Sequence, residues 1–208
     1  MKVNCRLCDK ETKGAIYCSK QCWIVDAFPK LEERAGLNRG IYKYFTLDKF
    51  IFDSREEKIL EKTIKKYLGG KLNRGLLIYG SVGVGKTHLI FAVVREVMKT
   101  LTLEAQLFNI PRMIADYKDS HFDERIIIRA ETVSIAIFDD LGSEYKSEMS
   151  KELLTRIVDQ RLIENRLTYF TSNLTPEMIG DQIDVRLISR IKALTYSVEM
   201  TGKDKRNK

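Results

Sequence analysis

One short segment constrains the fold of this chain more than any other, the glycine-rich sequence GSVGVGKT at residues 80–87. It follows the apolar run LLIY at residues 76–79, which suits a strand buried in a parallel sheet. It precedes HLIFAVVREVM, which suits a helix. Strand, glycine-rich turn and helix form the setting that the pattern G-x-x-x-x-G-K-[ST] requires. The segment therefore predicts an α/β fold built around a phosphate-binding loop, and a chance match in an ordinary loop is the alternative.

The residues of this loop have separate chemical tasks. Gly80, Gly83 and Gly85 permit backbone angles and a close approach that a Cβ atom would block. The loop amides and the helix N-terminus then point at phosphate oxygens. We expect Lys86 to reach the β- and γ-phosphates and the Thr87 hydroxyl to ligate Mg²⁺. The expected nucleotide-binding residues are Gly80, Ser81, Val82, Gly83, Val84, Gly85, Lys86, Thr87 and His88, the last as a packed neighbour and not a catalyst.

A second strand-like run, residues 133–138, ends in the two carboxylates Asp139 and Asp140. A carboxylate at the end of a strand beside the phosphate-loop strand can hold Mg²⁺. We expect Asp139 to bind the metal directly or through water, and Asp140 to orient or polarise an attacking water. Glu144 is a weaker alternative for that second role. The other interpretation is that the two aspartates only cap the next helix.

A third strand-like run, residues 167–171, ends in Ser172 and Asn173. The amide of Asn173 is a candidate to hold the attacking water between the carboxylates and the γ-phosphate. An asparagine that follows a strand is also a common turn residue, so both interpretations stay open.

All four cysteines lie within the first 22 residues, at positions Cys5, Cys8, Cys18 and Cys22. Two close pairs can supply four thiolates to one tetrahedral Zn²⁺. Four thiolates leave no open position for water, so we expect a structural site whose metal supplies much of the local folding energy. An iron–sulfur cluster, four buried free cysteines and two disulfides are the alternatives.

Length and composition limit what surrounds these motifs. The 208 residues allow one full domain with a small appendage, and 44% hydrophobic with 31% charged residues suits a folded core. We expect a zinc-binding module at residues 1–28, a connector at 29–50 and the nucleotide-binding domain at 51–208. The connector is rich in aromatic residues, which either dock onto the next domain or stack on bases. No apolar run approaches the ~20 residues of a membrane span, so we expect a cytoplasmic protein without a membrane partner.

The segments GSVGVGKTHL, FDDLGSE, YFTSNL and VRLISRI together resemble one family, the AAA+ ATPases of the DnaC/DnaI helicase-loader type. The related IstB-type transposition helpers share these features, and the resemblance covers roughly residues 42–206. It implies an AAA+ core with a parallel sheet flanked by helices. Only 18 residues follow Arg190, which is too few for a full helical lid, so we expect the lid to be absent or vestigial.

The resemblance also implies roles for single residues. Residues 80–87 would form Walker A, Asp139 would be the Walker B carboxylate, and Asp140 would take the position of the catalytic carboxylate. Asn173 would be sensor 1 and Arg206 sensor 2. Arg190 would be the arginine finger, which acts in trans on a neighbouring subunit. Arg186, one turn earlier, is the alternative finger, and a surface salt bridge is the alternative for Arg190. The end of the chain, residues 203–208, could equally be a frayed basic tail.

The function implied by the resemblance is ATP-dependent loading of a replicative hexameric helicase of the DnaB type. The chain would assemble as a homo-oligomer, use ATP, Mg²⁺ and Zn²⁺, and hydrolyse ATP weakly and only when assembled. Single-stranded DNA would contact Lys118 and residues 121–129, and the net charge of +7 permits such contact. An IstB-type helper acting on duplex DNA is one alternative. A nucleotide-binding adaptor with little hydrolysis is the other, because Asp140 stands where many relatives have glutamate.

Overall fold

The structure is a computed structural model that describes residues 3–13, 15–142 and 147–205. The predicted positions Glu144 and Arg206 lie outside these residues. The strands are β1 (Val3–Asn4), β2 (Glu11–Thr12), β3 (Gly75–Gly80), β4 (Ala105–Asn109), β5 (Ile135–Leu141), β6 (Leu167–Ser172) and β7 (Thr195–Met200). The α-helices are α1 (Lys20–Asp26), α2 (Phe28–Arg34), α3 (Arg55–Leu68), α4 (Lys86–Leu101), α5 (Ile110–Asp119), α6 (Glu124–Thr132), α7 (Glu148–Ile163), α8 (Pro176–Gln182) and α9 (Val185–Leu194), with 3₁₀ turns at Gly40–Tyr44 and Leu47–Lys49. Within the described ranges, no helix is both long enough and apolar enough to cross a membrane.

The main sheet has the strand order β4-β5-β6-β3-β7, and every neighbouring pair is parallel. Successive residues of β3 point to opposite faces, so that Ile78 belongs to one buried apolar cluster and Leu77 to another. Helices cover both faces, so the central strands β5 and β6 are buried over almost their whole length. The predicted α/β architecture with a parallel sheet flanked by helices is confirmed.

Two details of the sheet differ from the sequence-based expectation. The strand expected from residue 133 begins at Ile135, because Val133 still ends helix α6. The guanidinium of Arg161 is fully buried and donates to the carbonyl oxygens of Ala130 and Val133, which holds this helix end in place. Strand β7 was not predicted, and it supplies the edge of the sheet next to the phosphate-loop strand.

The region before α3 packs onto the sheet domain. Phe28, Leu37 and Phe50 are buried in the same apolar cluster as the residues of β3 and α4. Arg95 of α4 is also buried and donates to the carbonyl oxygen of Leu37 at 2.8 Å. The Leu107 amide of edge strand β4 donates to the Ala35 carbonyl at 3.1 Å, so this segment covers part of a sheet edge.

Candidate nucleotide site

The phosphate-binding loop between β3 and α4 needs glycine at defined positions. A Cβ atom on Gly80 would lie 2.0 Å from the carbonyl oxygen of Met200 on β7, so only glycine fits beside that strand. Gly83 and Gly85 have φ values of 80° and 99°, in the region that favours glycine. The loop then leads into α4, whose first residue is Lys86.

The side chain of Lys86 crosses the loop and ends at the sheet edge. Its Nζ donates to the carbonyl oxygens of Gly80 at 3.0 Å and Ser81 at 2.7 Å. It also donates to Oδ1 of Asn173 at 2.7 Å. Two of the predicted site residues, from the first and third strand ends, are thus in direct contact. A bound phosphate would offer the ammonium group stronger, charged acceptors than these neutral oxygens.

Thr87 and Asp139 have the spacing of neighbouring magnesium ligands. Thr87 Oγ1 donates to Asp139 Oδ1 at 3.0 Å. Adjacent oxygens around an octahedral Mg²⁺ with bonds of about 2.05 Å lie about 2.9 Å apart, so this pair fits the ion. Burial raises the pKa of Asp139 and the charge of Asp140 adds to this, while hydrogen bonds from Thr171 and Thr87 and the charge of Lys86 act in the opposite direction. A divalent cation beside the carboxylate would favour its ionised form.

Asp140 lies in a β-bulge. Between the pairs Phe138–Phe170 and Leu141–Ser172, strand β5 has one residue more than β6, and Asp140 takes up the irregularity with a φ of 63°. The hydroxyl of Thr171 donates to Asp139 at 2.5 Å and accepts from the Asp140 amide at 3.0 Å. This hydroxyl fixes the carboxylate of Asp139 and the backbone of Asp140, and the sequence reasoning did not identify it.

Asn109 at the end of β4 connects Asp140 to helix α5. Its Nδ2 donates to Asp140 Oδ2 at 3.4 Å, and its Oδ1 accepts from the amide of Arg112 in the first turn of α5. The contact arises because the register of β4 and β5 places Asn109 opposite Asp139. No sequence motif around Asn109 predicts it.

A cavity of about 500 Å³ joins these groups to the aromatic segment before α3. Its lining residues are Ile41, Tyr42, Phe45, Gly83, Gly85, Lys86, Thr87, His88, Asp139, Asp140, Asn173 and Lys205. His88 stacks on Phe45 with ring centroids 4.5 Å apart, and burial lowers its pKa, which favours the neutral ring. Burial raises the pKa of Tyr42, and the charges of Asp139 and Asp140 add to this rise. Ile41, Tyr42, Phe45 and Lys205 were not predicted as site residues, because the sequence separates them widely from the glycine loop.

The two finger candidates on α9 do not line this cavity among the described residues. Arg190 forms an ion pair through Nε with the partly exposed Asp159 on α7, a surface salt bridge of the kind given above as the alternative interpretation. The side chain of Arg186 is exposed. The structure of a single chain does not test either arginine as a finger, because a finger contacts the γ-phosphate bound by a neighbouring subunit.

The four cysteine sulfurs at the amino terminus all lie within 4.8 Å of one another. The Sγ atom of Cys8 is 3.4 Å from that of Cys18 and 3.8 Å from that of Cys22. Zinc–sulfur bonds of about 2.3 Å in a tetrahedron separate the sulfurs by about 3.8 Å, so the donor set fits one zinc ion. Ser19 caps helix α1 by accepting from the Cys22 amide, which holds Cys22 in the first turn of the helix, while Cys18 lies just before the cap.

A second cavity, of about 690 Å³, lies between the segment before α3 and the helices α5 and α6. Five arginines line it: Arg34, Arg39, Arg112, Arg125 and Arg129. Arg112 and Arg125 pair with Asp116 and Asp123. Lys118, predicted together with residues 121–129 to contact single-stranded DNA, borders a separate depression beside Ser150.

The fold and the site together define the class of protein, a P-loop ATPase of the AAA+ type. The sequence pattern of the family described as the bacterial DnaA ATPase domain matches residues 41–196, well over half of the chain. The chain belongs to this family.

Within the AAA+ class the similarity is to the DnaC/DnaI type, as the motifs predicted. The chain is 24% identical to the replicative helicase loader DnaI of Bacillus subtilis (strain 168) over 160 residues, which are 69% of this chain and 51% of that protein. It therefore spans about half the length of this curated relative. A crystal structure of DnaI superposes with a TM-score of 0.67 at 25% identity, over 77% of this chain and 90% of that one. A DnaC helicase loader, at 22% identity, shows the same fold with a TM-score of 0.69 over 76% of this chain and 97% of its own.

Proposed function

We propose that this protein is an ATP-dependent loader of a replicative hexameric helicase of the DnaB type, acting in the cytoplasm. The convergence of Lys86, Thr87, Asp139 and Asn173 at one sheet edge, in a chain similar to a replicative helicase loader, carries the proposal. Lys86 and the loop amides bind the triphosphate. Thr87 and Asp139 would hold Mg²⁺, which would supply charge neutralisation at the phosphates. Asp140 and Asn173 orient the attacking water.

Hydrolysis in this proposal depends on assembly. The described lining of the cavity includes two lysines, Lys86 and Lys205, and no arginine, so no described residue that lines it supplies a guanidinium for the charge that develops on the γ-phosphate. Arg190 of a neighbouring copy would supply it. The ion pair with Asp159 uses the Nε edge of the guanidinium, and the described residues offer its terminal amino groups no hydrogen bond.

The amino-terminal region of this loader holds Zn²⁺ through Cys5, Cys8, Cys18 and Cys22 and contacts the helicase. Metal bonds give a small module a fixed surface that its few apolar residues could not maintain. Exposed apolar side chains of this region, Leu7, Ile16 and Val25, are suited to a protein partner.

Single-stranded DNA would bind the groove lined by the five arginines. Within the described residues, Arg34 and Arg39 have no acidic partner, and they face the same cavity as Arg125 and Arg129. Guanidinium groups suit phosphate because they donate two parallel hydrogen bonds. An Arg34→Ala or Arg39→Ala variant can no longer bind one of the phosphates, which should reduce the salt dependence of binding by about one unit of slope.

The deciding experiment measures phosphate release with and without single-stranded DNA and helicase. Arg190→Ala should lower assembled turnover by about 10³-fold while single chains bind nucleotide as before. Arg186→Ala, one helical turn away, tests the alternative finger in the same assay. Full turnover by Arg190→Ala would transfer the finger role to another residue, and loss in Arg186→Ala alone would assign it there.

A nucleotide-binding adaptor with little hydrolysis is the second candidate. The observation that favours it is Asp140, whose side chain is one methylene shorter than glutamate and is engaged by Asn109. An assembled state that binds ATP and helicase but releases no phosphate would establish the adaptor. ATP-dependent filaments on duplex DNA, without helicase binding, would favour the IstB-type helper.

A further inference from the structure

The segment that follows β7 passes directly over the phosphate-binding loop. Strand β7 pairs with β3 so that its last residue, Met200, lies beside Gly80, where the loop begins. The chain continues through residues 201–205 on the same side. Its path past the loop is thus a consequence of the sheet register.

One backbone hydrogen bond and one side-chain contact join this segment to Gly83. The amide of Lys205 donates to the Gly83 carbonyl oxygen at 2.9 Å. A Cβ atom placed on Gly83 would lie 2.2 Å from Asp204 Cγ and 2.3 Å from both of its carboxylate oxygens. The carboxylate therefore packs flat against the α-carbon of the central loop glycine.

The side chain of Lys205 anchors the segment on its other side. Its Nζ donates to Glu57 Oε1 at 2.6 Å and to the Ile51 carbonyl oxygen at 2.8 Å, and it lies 4.5 Å from the centre of the Phe50 ring. Glu57 is buried, and its Oε2 accepts from the amides of Asp53 and Ser54 at the start of α3. Lys205 is therefore anchored by a buried carboxylate whose position is fixed by backbone amides.

These contacts bring an anionic group to a loop built for anions. Backbone amides and Lys86 make the loop electropositive. A carboxylate beside the loop partly neutralises this positive potential, which would otherwise attract a phosphate. A triphosphate entering the loop meets like charge at Asp204. Lys205 lines the same cavity as Lys86 and Thr87, so the segment also narrows the entrance.

We propose that residues 201–205 form a removable closure of the nucleotide site, in which Asp204 opposes the entry of phosphate and Lys205 holds the segment in place. The inference rests on the proposed nucleotide site. Nucleotide binding and displacement of the segment are then one event. A site that is closed about nine-tenths of the time binds its ligand roughly tenfold more weakly than an open site.

The test measures the affinity of the full chain for a ribose-labelled fluorescent ATP with Mg²⁺. Asp204→Asn keeps the shape of the side chain and removes its charge, and it should bind roughly tenfold more tightly. Asp181→Asn, an exposed aspartate on α8, is the matched control and should bind like the wild type. Equal or weaker binding by Asp204→Asn would overturn the closure.

Amide hydrogen exchange provides a second readout on the unaltered chain. Exchange in residues 201–205 should rise when Mg-ATP is added, because the Lys205 amide loses its acceptor, while exchange in residues 80–87 should fall. Slower exchange in both segments would mean that the segment clamps the nucleotide, which contradicts the proposal. Lys86→Ala separates the two hypotheses: if it binds nucleotide like the wild type, the site itself is wrong, and if it loses binding while Asp204→Asn changes nothing, only the closure is wrong.

Discussion

The amino-terminal cysteine region and the sheet domain are held together by different means. Among the described residues between 3 and 27, only Cys5 and Thr12 are buried. In β3, by contrast, Leu76, Leu77 and Ile78 are each 1% exposed or less. The sheet domain is stabilised by burial of apolar surface, whereas the cysteine region has almost none to bury. A metal held by four thiolates is a physical substitute for a core.

The comparison also shows where the two regions meet. Trp23 contacts Phe28 with ring centroids 5.9 Å apart, and Phe28 is already part of the sheet-domain core. Arg95 then binds the following segment through Glu32 and the Leu37 carbonyl. The expected boundaries at residues 28 and 50 stay predictions, and the packing gives a way to test them.

The largest expected effect is the loss of a metal ligand. Cys5→Ser should remove bound zinc and unfold the cysteine region, because metal binding contributes on the order of 10 kcal/mol to such modules. Trp23 is the only tryptophan of the chain, so its fluorescence reports on this region and on its contact with Phe28. The thermal transition of the sheet domain should remain, followed by circular dichroism.

Lys13→Ala is the control for this experiment, since Lys13 is exposed in the same region. If Cys5→Ser retains zinc and an unchanged Trp23 emission, the sulfurs do not stabilise the region. If Cys5→Ser also abolishes the thermal transition of the sheet domain, the two regions are not stabilised independently and the comparison is wrong.

An intermediate effect is expected at the contact between the regions. Arg95→Met leaves Glu32 unpaired and removes donors from two carbonyl groups, which should lower the free energy of unfolding by about 3–5 kcal/mol. Chemical denaturation measures this change. Adding Glu32→Gln should restore part of the loss, because the uncompensated charge is then gone. A single-mutant loss within experimental error would show that the segment before α3 is held by apolar packing alone.

The smallest expected effect is a pH dependence within the sheet domain. Burial acts to raise the pKa of Glu57, but hydrogen bonds from Lys205 and the amides of Ser54 and Asp53 outweigh it and leave the pKa below its ordinary value of 4.5. Because the pKa of Glu57 is lower in the folded than in the unfolded chain, its ionised carboxylate stabilises the fold fully at any pH above the unfolded-state pKa. That stabilisation is lost as the pH falls through the folded-state pKa.

Acid titration of the unfolding free energy should therefore show a decline below about pH 4.5 that Glu57→Gln reduces. The cysteine region should not contribute to the difference, since Glu57 contacts α3 and the segment after β7. Identical acid curves for the two proteins would refute this assignment of the carboxylate.

Much of the fold and part of the site could be predicted from short stretches of sequence. The residues of the phosphate loop are adjacent in the chain, and their chemistry and flanking elements are local. The cysteine pairs are recognisable for the same reason. The apolar runs also located β5 and β6, although β5 continues to Leu141, three residues beyond its predicted end at Phe138, and β6 ends at Ser172, one residue beyond the predicted run.

The remaining site residues depend on long-range register. Thr171 acts on the two aspartates only because β5 bulges against β6, and Asn109 reaches Asp140 only because β4 pairs with β5. Three of the six residues of β7, Tyr196, Ser197 and Glu199, are exposed, so this edge strand does not resemble the buried central strands. Because β7 was not predicted, the position of Asp204 and Lys205 beside the phosphate loop was not predicted either.

The sequence by itself determined that this chain has a phosphate loop, a pair of strand-end carboxylates and a four-sulfur cluster, because each of these is encoded within a few consecutive residues. Tertiary structure decided which distant groups join them: Tyr42 from the amino-terminal segment, Thr171 from β6 and Lys205 from the chain end. The physical reason is that strand order and register, which are set by packing of the whole sheet, determine which strand ends meet at one edge.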